Sequence, residues 1–308
     1  MAWTEADIPD QSGRTVLVTG ATAGLGLRTA TALAGSGARV LMTARSAERG
    51  ERALAEVHRA GGRAELVSLD LADLSSVRKA ATEVRERTGD ALDVLINNAG
   101  VMAPPLRRTA DGFELQFGTN HLGHAALTWL LMPALRARPG ARVVTVASMA
   151  ARQGRLDLDD PNFHHRRYSA GGAYGQSKLA NLVFALELDR RARAAGLDLV
   201  SAAAHPGYTA TNLVTATARD RGGPLVARVA DLVTRLTAQS VKRGALPQLY
   251  AATAPGVTGG SYVGPGWPGE VYGPPAPARL WPAARDEETA ARLWTVTAEL
   301  TGVAPDPA

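Results

Sequence analysis

A chain of 308 residues with 45% hydrophobic and 20% charged side chains can bury one large core, and no low-complexity interior linker divides it in two. Its net charge of +5 comes from arginines interleaved with acids rather than gathered in a block, which gives no footprint for nucleic acid and suits an anionic cofactor instead. Without cysteine there are no disulfides, thiolate metal sites or cysteine nucleophiles, and the acidic start from Met1 to Asp7 is neither a signal peptide nor a membrane span, so a cytoplasmic protein is expected.

Thr15 to Thr19 is a short β-branched run, the pattern of a buried parallel strand. It enters Gly20-Ala21-Thr22-Ala23-Gly24-Leu25-Gly26, and Leu27 to Gly35 then reads as a helix. Strand, glycine turn and helix in that order make a phosphate cradle, because glycines admit a pyrophosphate to the backbone and the helix N-terminus supplies oriented N–H groups. Gly20, Thr22, Ala23, Gly24, Leu25 and Gly26 are therefore candidate cofactor contacts, with a plain tight turn as the competing reading. A second strand, Arg39 to Thr43, ends near Arg45, where a dinucleotide would place its adenosine ribose. An acid there binds a 2′-hydroxyl and an arginine pairs with a 2′-phosphate, so Arg45 points to NADP(H) over NAD(H), unless it is a solvated surface charge.

Glu65 to Leu69 forms a third strand running into Asp70-Leu71 and the amphipathic helix Leu74 to Arg87. A fourth, Leu92 to Ile96, runs into Asn97-Asn98-Ala99-Gly100. Small and polar residues at strand ends suit a crevice over a sheet, and the strand–helix alternation predicts a parallel, doubly wound α/β fold. The helical stretch from about Gly112 to Ala137 carries Asn120 in its interior, which calls for a buried partner or an active-site role. His121 and His124, without a third ligand beside them, read as packing and hydrogen-bonding residues, and no metal is expected.

Arg142 to Ala147 is a fifth strand with Ser148 at its carboxyl end, and the polar connection after it, including Asp157 to Asp160 and His164 to Arg167, reads as a solvated surface excursion. Tyr174 and Lys178 follow, four residues apart on one helix face. A cation beside a phenol favours the phenolate, which equips the pair to exchange a proton during C–OH/C=O interconversion. The chain has six tyrosines and three lysines, so chance supplies only about 0.06 such pairs. Asp198 to Ala203 makes a sixth strand, and His205-Pro206-Gly207-Tyr208-Thr209 is the turn expected to close over a nicotinamide. Leu225, Val226, Val229, Leu232, Val233 and Leu236 share a helix face read as core, with a substrate lid or an interface as alternatives. Ser261 to Val263 is a seventh strand, Gly264 to Pro282 an irregular tail, Asp286 to Leu300 a last helix, and residues beyond Gly302 are expected to fray.

Taken in order, Thr19-Gly20-Ala21-Thr22-Ala23-Gly24-Leu25-Gly26, Asp70-Leu71, Asn97-Asn98-Ala99-Gly100, Asn120, Ser148, Tyr174-x-x-x-Lys178 and Pro206-Gly207 resemble the signatures of the short-chain dehydrogenase/reductases. The match runs from about Gly13 to Tyr208 and is most similar to the branch of retinol dehydrogenases and protochlorophyllide reductases; a chain without cysteine does not suit the photoactive members. The resemblance implies one Rossmann-type domain over 1–308 with a mainly parallel, seven-stranded sheet, substrate-covering segments at about 208–240 and a tail at about 264–308. It implies a catalytic tetrad: Tyr174 passes the proton, Ser148 polarises the substrate oxygen, Lys178 binds the nicotinamide ribose and lowers the Tyr174 pKa, and Asn120 holds a water. It adds Asp70, Leu71, Asn98, Ala99, Gly100, Tyr174, Lys178, Pro206, Gly207 and Thr209 to the cofactor contacts. Many NADP-using relatives carry a basic residue where this chain has Ala23, so the 2′-phosphate reading rests on Arg45. The expected activity is NADP(H)-dependent interconversion of a carbonyl and an alcohol on a small apolar substrate, against an inactive dinucleotide-binding regulator or an NAD-dependent alcohol dehydrogenase. Family members are often dimers or tetramers, so a homo-oligomer is among the expectations.

Overall fold

The computed structural model describes residues 2–209 and 239–307, so the apolar helix read at 225–236 and most of the segment at 208–240 lie outside the described residues. Within them, apolar runs closed by turn residues become strands buried on both faces: Val16, Leu17 and Val18 of β1 (Thr15–Val18) are inaccessible to water. With β2 (Arg39–Ala44), β3 (Arg63–Ser68), β4 (Val94–Asn97), β5 (Ala141–Val146), β6 (Leu199–Ala204) and β7 (Tyr262–Pro265), β1 forms a parallel sheet in the order 3-2-1-4-5-6-7. One apolar layer packs α1 (Gly24–Gly35) and α2 (Ala47–Arg59) on a face of this sheet through Leu33, Ala53 and Val57. The opposite layer holds α3 (Leu74–Thr88) and the two long helices between β4 and β6 through Val77, Val84, Leu131 and Phe184. Strand order reverses between β1 and β4, and a crevice opens there at the carboxyl ends of the strands.

The mid-helix asparagine has a local explanation. Helix α4 (Gly123–Arg136) is preceded by a π-helical turn at Gly118–Leu122, and this wider turn carries Asn120. Helix α5 (Ala170–Ala194) begins at Ser169, whose hydroxyl accepts from the Gly172 N–H, so the phenol of Tyr174 sits one turn inside a capped helix. After α6 (Leu246–Thr253), the chain closes with α7 (Glu287–Thr301), which sets Trp294 against Trp129 and Phe184. Among the described residues no helix is long and apolar enough to cross a membrane.

Three expectations are corrected. The sheet has eight strands, because β8 (Pro275–Pro277) runs antiparallel to β7 within the Gly/Pro-rich tail. Proline is tolerated on an edge strand, where its missing N–H interrupts no central ladder, and that composition masks the strand in the sequence. Second, the end of the chain is held: Val303 is buried, Arg78 donates to the carbonyls of Thr301 and Gly302, and Arg136 pairs with Asp306. Third, the excursion before α5 is pinned. Asp160 accepts the backbone N–H groups of His164, His165 and Arg166, and Gln176 of α5 accepts from Arg166 and donates to the Pro161 carbonyl.

Candidate active site

The crevice at the strand reversal contains a cleft of about 390 Å³, and its walls gather twelve of the predicted contacts. These are Gly20, Thr22, Ala23, Gly24, Leu25, Gly26, Arg45, Asp70, Leu71, Asn98, Ala99 and Gly100. The glycine turn works by close approach. A Cβ on Gly26 would stand 2.3 Å from the Gly20 carbonyl oxygen, so only glycine lets α1 begin against the strand end. Gly24 has φ +55° and nothing within 4 Å of where its Cβ would lie, which leaves its backbone facing the cleft.

Among the cleft residues that escape the sequence reading, two lie next to Arg45 in the wall beyond β2. Ser46 caps α2, its hydroxyl accepting from the Arg49 N–H, and Arg49 lines the cleft together with Arg45. The wall beyond β2 therefore offers two guanidinium groups and a helix N-terminus, a donor set fitted to a phosphate. The only sequence signal for it is the spacing Arg45-Ser46-x-x-Arg49, with a capping residue between the two charges.

Ser148 lies just beyond β5 and caps a short 3-10 turn, Met149–Gln153, its hydroxyl accepting from the Ala150 N–H. The same hydroxyl lies near enough to the Tyr174 phenol to favour its ionised form. Burial pushes the Tyr174 phenol above its ordinary value, and the neighbouring Ser148 hydroxyl opposes that shift. The Lys178 ammonium, 4% exposed, lies 6.0 Å from the centre of the Tyr174 ring and donates to the Val146 carbonyl at 2.9 Å. Burial pushes it down to about 8. The net displacement of the phenol is thus upward here, while the resemblance implied a phenol lowered by its lysine. Asn120 spends its side chain on protein: Oδ1 accepts from Val101 N–H at 2.8 Å, and Nδ2 donates to the Val101 carbonyl at 2.9 Å and to Ser177 Oγ at 3.0 Å. A Cβ on Gly100 would stand 3.2 Å from Asn120 Oδ1 and 3.5 Å from Lys178 Nζ, so the cleft wall abuts two residues of the expected tetrad.

Pro206, Gly207 and Thr209 lie outside the cleft walls. They sit under the tip of the β7–β8 hairpin, where Tyr208 N–H donates to the Val271 carbonyl and Gln239 donates to the Pro206 carbonyl. The hairpin tip is held by Glu270, which pairs with Arg152 of the Ser148 turn and accepts from His205 Nε2 and the Arg279 N–H. Sequence reading passed over Glu270, because its partners are distant in the chain.

Known proteins resemble this chain along most of its length. The family model for short chain dehydrogenase matches residues 14–222. Retinol dehydrogenase 13 of Homo sapiens is 38% identical over 97% of this chain and 87% of its own length, and polyprenol dehydrogenase of Mus musculus is 40% identical over 96% and 86%. Among solved structures, a protein from Mycobacterium paratuberculosis superposes with a TM-score of 0.80 at 44% identity, covering 98% of both chains. A Beutenbergia cavernae structure described as an NAD(P)-dependent gluconate 5-dehydrogenase with bound NADP superposes with a TM-score of 0.62 at 28% identity, over 82% of this chain and 94% of its own.

Proposed function

Because the chain belongs to the short-chain dehydrogenase family, and so to the oxidoreductases that act between CH–OH and C=O, we propose that it is an NADP(H)-dependent carbonyl reductase or alcohol dehydrogenase with Tyr174 as its proton donor and acceptor. The observation that carries this reading is the convergence of the Ser148 hydroxyl, the Tyr174 phenol and buried Lys178 at the edge of a cleft lined by the glycine turn, Arg45 and Arg49. The cofactor supplies the hydride. The protein supplies the proton path and the charge that holds the cofactor. Ser148 and Tyr174 present two hydroxyls to one substrate oxygen, and in reduction Tyr174 hands over its proton as negative charge grows there. A phenol above its ordinary value stays protonated at neutral pH, as a donor must. Lys178 keeps a cation beside the phenolate that results. Pro206, Gly207 and Thr209 form the support beneath the nicotinamide end.

An apolar substrate fits two observations. The relatives above are named for retinol and polyprenol, both long apolar alcohols. Tyr208 and Trp267 also leave apolar surface exposed beside the hairpin tip, at 37% and 55%. A cytoplasmic location suits the cysteine-free composition.

The test is titration calorimetry of NADPH and NADH on the wild type, Arg45→Ala and Arg49→Ala, followed by turnover on a panel of aldehydes and ketones. NADPH is expected to bind at least about tenfold more tightly than NADH, with each arginine carrying part of the gap through charge-assisted hydrogen bonds. Equal affinities would move the reading to NAD-dependent alcohol oxidation. Binding without turnover on any substrate would leave a regulator, and failure to bind either dinucleotide would sink the oxidoreductase reading.

A further inference from the structure

His124 is 1% exposed, and its ring makes two hydrogen bonds of opposite sense. Nδ1 lies 2.9 Å from the carbonyl oxygen of Asn120, which can only accept, so Nδ1 carries the ring proton. Burial pushes the imidazole down to about 4, which keeps it neutral near pH 7. Nε2, 2.8 Å from Thr19 Oγ1, must then accept. This assignment settles the Thr19 hydroxyl as well. Its one proton goes to His124, and its lone pairs receive the N–H groups of Asn98 at 2.9 Å and Ala99 at 3.0 Å. Without the imidazole, the remaining acceptor for that proton is the Ile96 carbonyl, at 3.3 Å.

Each end of this bridge sits in working machinery. On one side, Asn98 and Ala99 line the cleft, and Asn98 Nδ2 ties back to the Thr19 carbonyl at 2.8 Å. On the other, Asn120 grips both backbone groups of Val101 and reaches Ser177, the neighbour of Lys178. We propose that His124 is a positioning residue with two separable arms, one fixing the Thr19–Asn98–Ala99 floor of the dinucleotide cleft and one fixing Asn120 beside the proton path. The proposal deepens the oxidoreductase reading and rests on it. Only a side chain that donates at one end and accepts at the other serves both arms, so a phenyl ring of similar volume cannot replace it.

Two shorter mimics separate the arms. In His124→Asn the amide donor reaches the place of Nδ1 and keeps the Asn120 arm. In His124→Gln the amide oxygen reaches the place of Nε2 and keeps the Thr19 arm. We expect His124→Asn to weaken NADPH binding about tenfold, with a change in kcat under saturation of less than about threefold. His124→Gln should show the reverse split, and His124→Phe both losses. Losses of affinity and kcat that run in parallel through all three variants and track their melting temperatures would show that His124 only fills the core. Unchanged affinity and kcat in His124→Phe would remove it from the site. Calorimetry on the binary complex keeps this test apart from the wider reading: a wild-type protein that binds no dinucleotide overturns the oxidoreductase reading and this proposal with it, whereas one that binds NADPH lets the split decide the proposal alone.

Discussion

Tyr174 is placed by its helix, set near Ser148 and kept protonated by burial, so its hydroxyl is the one group whose removal should separate chemistry from binding. Tyr174→Phe keeps the ring and its packing and deletes only the proton. Turnover is expected to fall by about 10²- to 10⁴-fold, the usual contribution of a positioned acid. NADPH affinity should stay within about threefold, since no cleft wall is disturbed. Calorimetry and turnover on the same preparation check both halves, and retained activity would take the proton from another group. At this scale the sequence was informative wherever the chemistry is local: Tyr174 and Lys178 are one helical turn apart, and the glycine turn follows β1 without a gap. It was silent where a role comes from long-range contact. Arg49 is one more arginine on an exposed helix until the fold sets it beside Arg45, and His124 shows nothing of its partnership with Thr19, 105 positions away.

Backbones, as much as side chains, set the separation of Ser148 and Tyr174. The 3-10 turn carrying Ser148 ends at Gly154, and a Cβ there would stand 2.3 Å from the carbonyl oxygen of Gly175 in α5. That approach brings the end of β5 against α5. Gly154→Ala must push the two elements apart, at a cost of about 1–3 kcal/mol for overpacking. Melting should drop by several degrees. Turnover should fall further than NADPH affinity, because the displaced turn carries Ser148 while the cleft walls lie on other elements. Thermal melts and calorimetry read the two effects separately, and an unchanged kcat would mean that the turn yields without moving Ser148. The excursion shows why element-level reading stopped short. Its sequence is polar, as a solvated loop would be, yet Asp160 gathers three backbone N–H groups and Phe163 stacks under Arg166. Polarity that is satisfied inside the loop looks, in sequence, the same as polarity offered to water.

Across the whole molecule, three buried histidines join the layers, and together they set an acid limit on stability. His121 accepts or donates to Thr297 of α7, His124 bridges β1 and α4, and His205 joins the end of β6 to the hairpin tip at Glu270. Burial pushes them down to about 3, about 4 and about 4, from an ordinary value near 6.5. Their folded values lie below the unfolded one, so the stability they contribute is fully present above about pH 6.5 and is lost as pH falls toward 4, where the unfolded chain takes up protons that the folded chain refuses. Each can remove up to about 1.4 kcal/mol per pH unit inside that window. Glu114 works against this slope: burial raises its carboxyl, so its contribution is present at low pH and is lost as pH rises through its folded value. Asp160, held at about 2 by its backbone donors and Arg166 against the push of burial, adds a further loss only below about pH 4. The melting temperature is therefore expected to be nearly level from about pH 7.5, below which Lys178 is largely protonated, to about 6.5, and to descend below it. His121→Phe, which keeps the aromatic contact with Phe117 and Phe184 but cannot protonate, should descend less steeply. A profile that peaks near pH 5, or a variant that follows the wild type in parallel, would place the acid sensitivity on the carboxylates instead.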